Sequence, residues 1–221
     1  KNAFYGRKHA PFIIGGRYGL SSRDTTPAQI IAVYKHLAKK GHDNFTVGIN
    51  DDVTHLSIPV GPEIRVNDEV SELVFYGLGS DGTVGANKST IKLIGDNTDN
   101  YAQAYFAYDS KKSGGVTRSH LRFSPEPIRS TYLVTQADFV ACSLDTYVEK
   151  YDMLSSLKEK GTFLLNTTKP AAELVEYLPN EFKAELAKKE AKFYIIDATS
   201  LAREIGLGNR TNTIMQSAFF K

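Results

Sequence analysis

Apolar and polar positions follow one arrangement up to about residue 66 and a more regular one after it. Upstream, Phe12-Ile13-Ile14 is a short apolar run ended by Gly15-Gly16. Thr26-Pro27 opens a helix over 28–39, where Ile30, Ile31, Val33, Tyr34, Leu37 and Ala38 recur at helical spacing. Residues 44–50 alternate as a strand, and Ile58-Pro59-Val60-Gly61-Pro62 breaks regular structure as a linker does. One helix and two or three strands are too little for an independent core, so 1–66 is expected to be part of a larger domain. From Glu72 onward the pattern predicts strands at 73–76, 101–108, 132–141, 162–165 and 192–196. Helix-like stretches lie between and after them at 84–94, 145–159, 172–178, 180–189 and 198–205. Such alternation predicts an α/β fold with a Rossmann-like, mostly parallel sheet covered by helices on both faces, preceded by a partial α/β unit.

The first of these strands runs directly into Gly77-Leu78-Gly79-Ser80-Asp81-Gly82-Thr83, with a helix-compatible segment beyond. A helix N-terminus offers unpaired N–H groups and partial positive charge, and glycines let backbone approach a phosphate. Candidate ligand contacts are therefore Gly77, Gly79, Ser80, Asp81, Gly82 and Thr83, with Asn87 and Lys88 in support. A nicotinamide site would also want an acid ending the second strand, and Asp109 stands 27 residues past Gly82. Lys111 and Lys112 follow at once, however, and suit an additional phosphate better than a free 2′-hydroxyl. The bland alternatives are a tight turn with no ligand and a solvated lysine loop.

Composition narrows the classes. The chain has 221 residues, 41% hydrophobic and 24% charged, with a net charge of +2, too weak a balance for a duplex-nucleic-acid binder. Its one cysteine, Cys142, excludes disulfides within the chain, iron–sulfur clusters and cysteine-based zinc sites. Cys142 ends an apolar strand and is expected to be a small core residue. No stretch approaches the roughly 18 apolar residues of a membrane span, so a soluble, cytoplasmic protein is expected. The chain opens on Lys1-Asn2-Ala3 and its first Met is Met153, which predicts a segment excised from a longer polypeptide.

The stretch 116–123 is polar, basic and alternating. If extended, Arg118, His120 and Arg122 share one face and Thr117, Ser119 and Leu121 the other. That basic face would bind an anion or dock on an acidic partner. The five histidines show no metal-ligand spacing, and no Ser/His/Asp or Cys/His arrangement stands out. Asp51-Asp52 reads as a strand end or helix cap. The apolar tail Ser217-Ala218-Phe219-Phe220 is expected to be an interior segment, continued by a further helix or partner domain.

Taken together, the chain resembles the 2-oxoacid:ferredoxin oxidoreductases, specifically the pyruvate:ferredoxin (flavodoxin) oxidoreductase family. The resemblance rests on Gly15–Thr25, Asp51–Thr54, Gly77–Lys88, Tyr108–Phe123 and Asn212–Gln216, spread over nearly the whole chain. It implies that 1–66 is the C-terminal part of a transketolase C-terminal-like α/β domain, and 67–221 the Rossmann-like gamma domain. It also implies a reaction of pyruvate and coenzyme A to acetyl-CoA and carbon dioxide, with electrons passed to ferredoxin or flavodoxin. Thiamine diphosphate, magnesium and [4Fe–4S] clusters would be held elsewhere in a homodimeric enzyme, leaving this segment inactive alone. The gamma domain's association with coenzyme A agrees with the glycine loop. Gly79–Thr83 amides would take its phosphates, and Lys88, Lys111, Lys112, Arg118 or Arg122 its 3′-phosphate. A purely structural module packing against the remaining domains and an NAD(P)-binding Rossmann domain are the alternatives.

Overall fold

Thr26 and Pro27 start their helix as their chemistry dictates. In this computed structural model Pro27 occupies the first turn and Thr26 Oγ1 accepts from the Gln29 N–H at 3.4 Å. The structure describes residues 2–19, 24–49, 53–66, 69–108 and 114–221. By contacts the chain divides into two compact units, 1–66 with 131–133, and 67–130 with 134–221. In the first, β1 (Gly16–Tyr18), α1 (Pro27–Ala38) and β2 (Phe45–Val47) surround a small core of Ala32, Phe45, Val47 and Ile58, with β1 and β2 parallel. Helix α1 buries Ala28 and Ala32 while Ile30, Ile31, Tyr34 and Leu37 stay exposed. Helical spacing located this helix, but not the face that its own unit covers. Ile58, expected in a linker, is a core residue instead, because Ser57 forms a β-bridge with Thr46.

The second unit is built on β3 (Ser71–Leu78), α2 (Thr83–Asn97), β4 (Tyr101–Tyr108), β5 (Val116–Ser124), β6 (Ala137–Cys142) and β7 (Leu157–Asn166). Helices α3 (Ala171–Tyr177) and α4 (Asn180–Lys188), strand β8 (Lys192–Ile196), α5 (Ala198–Glu204) and α6 (Asn212–Phe220) complete it. The sheet order is β4-β5-β3-β6-β7-β8. The β3–β6, β6–β7 and β7–β8 pairs are parallel, and β5 is antiparallel to both β3 and β4. Helices cover both faces. Alternate residues of β3 divide between two cores: Leu73 and Phe75 pack with Leu121, Phe123 and Met215 of α6, whereas Val74 and Tyr76 pack with Phe163, Leu174 and Phe182. This is an α/β fold with a mostly parallel sheet.

Three segments depart from the sequence expectation. The helix expected over 145–159 is a 3₁₀ turn, Asp145–Tyr147, followed by irregular chain that enters β7 at Leu157. Tyr147, Val148, Met153 and Leu154 are buried without a helix. Lys189 Nζ donates to the Leu154 and Leu157 carbonyls at 2.6 and 2.5 Å, meeting backbone demands that a helix would otherwise satisfy. The strand expected over 132–141 begins only at Ala137, since residues 131–133 belong to the other compact unit. The apolar tail is helical, an element the pattern did not predict, and its Phe220 remains exposed. It is α6 itself, whose Phe219 ring stands 5.6 Å from Phe75 and 5.3 Å from Phe139.

Candidate functional site

Strand β3 is buried at six consecutive positions and delivers its C-terminal end where the sheet changes from antiparallel to parallel pairing. In open α/β sheets, ligands gather at such a switch point, beyond the strand ends. Gly77 is required there by packing: a Cβ would lie 2.6 Å from Thr83 Cβ and Oγ1, so only glycine lets α2 begin this close to the strand. Gly82 sits at φ 88° as the residue before the helix, and a Cβ on it would meet the Asn212 side chain at 2.9 Å. The Gly79 N–H donates to the Gly115 carbonyl at 2.8 Å, tying the loop to the start of β5.

Asp81 is the residue whose role the spacing did not disclose. Its carboxylate folds back into the loop, accepting from the Leu78 N–H at 2.8 Å and from the Thr83 N–H at 2.7 Å. An anion therefore already sits at the α2 N-terminus, where negative charge is favoured. Among the described residues, the amides of Ser80, Gly82, Val84 and Gly85 have no hydrogen-bond acceptor. Thr83 Oγ1 lies 3.0 Å from Ser143 Oγ, which donates to the Tyr76 carbonyl at 2.9 Å. The same pattern continues along the strand ends. Asn166 Nδ2 donates to the Ser143 carbonyl, and its Oδ1 accepts from the Ala198 N–H. Asp145 accepts from Thr167 Oγ1 at 2.9 Å and from Lys169 Nζ at 3.2 Å, with the ammonium 4.3 Å from the Tyr177 ring centre.

The remaining candidates separate. Asn87 is buried beneath the loop, and Lys88 is exposed, its ammonium 5.5 Å from the centre of the Phe106 ring on β4. Lys111 and Lys112 lie outside the described residues, as do Asp51, Asp52 and Asp109. The segment 116–123 is extended, forming β5, and its register sets Arg118 opposite Tyr76, on the face away from α2. Arg118 is exposed. Arg122 is 3% exposed and pairs with Glu72 at 2.5 Å, while its Nη1 donates to Gln103 at 3.1 Å. A guanidinium so held is neutralised inside the sheet. His120, between the two arginines, is buried; desolvation first, then Arg118 and Arg122, pull its pKa down to about 4. Burial pushes the Cys142 thiol up to about 12, and the thiol donates to the Leu144 carbonyl. Among the described residues no three His, Cys, Asp or Glu side chains converge as a metal site, and no helix is long and apolar enough to cross a membrane.

Sequence reasoning missed Ser143, Asn166, Lys169 and Asn212. Ser143 had a usable signal, as the residue following the strand parallel to β3 ends at the same edge of the sheet. Asn212 stood out only within the stretch Asn212–Gln216 that carries the resemblance, and spacing did not bring it to the loop, since α6 returns from about 130 residues away.

A family model described as pyruvate ferredoxin/flavodoxin oxidoreductase matches residues 72–221. A pyruvate-flavodoxin oxidoreductase of Enterobacter agglomerans is 55% identical over 224 residues, a match covering 100% of this chain and 19% of the relative. The chain thus spans about a fifth of the length of that relative. Among solved structures, a pyruvate oxidoreductase subunit of Thermotoga maritima superposes with a TM-score of 0.51 at 21% identity, over 68% of this chain and 75% of that one. A 2-oxoglutarate:ferredoxin oxidoreductase of Magnetococcus marinus, solved with 2-oxoglutarate, coenzyme A and succinyl-CoA bound, gives a TM-score of 0.51. Its identity is 14%, over 67% of this chain and 23% of that one.

Proposed function

This chain belongs to the pyruvate ferredoxin/flavodoxin oxidoreductase family, and from that premise we propose that it serves the oxidation of pyruvate with coenzyme A as acyl acceptor. Acetyl-CoA, carbon dioxide and reduced ferredoxin or flavodoxin are the products. Within that reaction the chain's own part is to bind coenzyme A at the glycine loop and to pack among the enzyme's other domains. A [4Fe–4S] cluster does not fit the residues present. A cluster needs several thiolates, and the single thiol is buried and protonated. No electron-transfer step is assigned to this segment.

The observation that carries the coenzyme A reading is the set of unbonded amides at Ser80, Gly82, Val84 and Gly85, at a sheet switch point on a loop that glycine keeps close to the strand. These donors suit the diphosphate. Lys88 is the cation nearer the start of the same helix, and its charge suits the 3′-phosphate. Lys111 and Lys112 join it in this proposal, and Arg118 supplies a cation on the opposite face. The neighbour from Magnetococcus marinus contains coenzyme A; at its identity it supports the fold of such a binder and no contact residue.

Calorimetric titration with coenzyme A, dephospho-coenzyme A and NAD in parallel tests this. Coenzyme A is expected to bind best, to bind more weakly without its 3′-phosphate, and to lose affinity in Lys88→Glu. A folded protein that binds none of the three, or NAD best, overturns it.

A further inference from the structure

Beneath the glycine loop, α2 and α6 enclose a cavity of about 20 Å³ lined by Asn87, Asn212, Thr83, Ser143, Phe75 and Met215 among others. Most polar groups around it are satisfied. Thr83 and Ser143 bond each other, and Gln216 Nε2 donates to the Ala86 carbonyl at 3.1 Å and to Thr90 Oγ1 at 2.9 Å. Two groups are left over. Asn87 Nδ2 and Asn212 Oδ1 are buried with no hydrogen-bond partner, and Asn87 is only 4% exposed.

The leftovers are complementary: one is a donor, the other an acceptor, and both face one cavity without bonding each other. Buried amide groups are rarely stranded in native proteins. A single water needs roughly 10–15 Å³ and two to four polar partners, and the cavity offers both. It is too small for a phosphate or a nucleotide fragment, so the ligand must be a lone hydrogen-bonding molecule.

We infer that this cavity holds one ordered water, which accepts from Asn87 Nδ2 and donates to Asn212 Oδ1, linking the C-terminal helix to the underside of the glycine loop. Asn212 also presses against Gly82, so the water fixes the side chain that backs the residue before α2. Asn87 is then a positioning residue rather than a contact to coenzyme A. The inference stands whether or not coenzyme A binds above it.

A crystal structure of the full chain, at a resolution that shows ordered solvent, tests it directly. One density peak within hydrogen-bonding distance of both amides is expected. An empty cavity, or a direct Asn87–Asn212 bond, overturns the inference. A double-mutant cycle with Asn87→Leu and Asn212→Leu, read by urea denaturation, is the second measurement. Each single change strands the other amide, so the double variant is expected to be no less stable than the weaker single one, whereas strict additivity overturns the link.

Discussion

Replacing Asp81 by Asn should move stability and anion affinity in opposite directions. The wild-type carboxylate accepts two backbone N–H bonds, from Leu78 and Thr83, at the positive end of α2. Asn keeps one acceptor oxygen and loses the charge. Hydrogen bonds to a charged group contribute about 1.5–3 kcal/mol net, and a charge at a helix N-terminus about 0.3–1. Asp81 is only half-buried, so water compensates in part, and the expected loss is about 1–2 kcal/mol. For a domain of this size that lowers Tm by about 2–8 °C. A phosphate on the neighbouring amides would lie about 5 Å from the carboxylate. At an effective dielectric of about 20, each unit of phosphate charge is then repelled by about 3 kcal/mol. Halving that for solvent screening leaves about 1.5 kcal/mol, or roughly tenfold in affinity. Asp81→Asn should therefore melt earlier yet bind coenzyme A about ten times more tightly, as read by thermal denaturation and calorimetry on one sample. Unchanged or weaker affinity in a protein that still folds would refute a phosphate at these amides. An unchanged Tm would refute a stabilising role for the Asp81 bonds to Leu78 and Thr83.

Gly77→Ala should cost about 1–3 kcal/mol in urea denaturation, because the new methyl meets Thr83 at 2.6 Å in a close-packed junction. Arg122→Met should cost up to about 3–5 kcal/mol by removing one buried partner of Glu72, while the folded fraction keeps its coenzyme A affinity. His120 makes stability depend on pH. Its folded pKa lies below the unfolded value of 6.5, so the unfolded chain takes up the proton first, and stability is complete above pH 6.5 and falls as pH drops toward about 4. Between pH 7 and pH 5 this residue should account for about 2 kcal/mol of lost stability, a difference that His120→Gln should remove.

The β3–loop–α2 unit was legible because an apolar run, spaced glycines and a polar helix start each follow from local chemistry. Strand β5 was harder. Arg118, His120 and Arg122 read as an anion-binding or docking face, and only the register setting Glu72 opposite Arg122 shows that the sheet buries one of these charges. Charge pattern alone does not reveal a counter-charge 50 residues away. The segment 145–159 misled for a related reason: Tyr147, Val148, Tyr151 and Leu154 fall at helical spacing, yet Lys189 from α4's end stabilises an irregular path. At the site, the direction of the Asp81 side chain follows from φ values in a four-residue turn, including Ser80 at 76°, which no periodicity encodes.

The antiparallel pairing of β5 with both β3 and β4 also bears on how the sheet is made during synthesis. Residues 71–124 contain three adjacent strands whose pairings all close within this stretch, the widest joining Ser71 to Phe123, so this half can assemble once β5 has left the ribosome. Strand β6 begins only at Ala137, about 60 residues after β3 ends at Leu78. At about 5–20 residues per second, roughly 3–12 s separate the two. During that interval a central strand of the finished sheet presents an open edge, and its unpaired N–H and C=O groups form a template for another nascent chain.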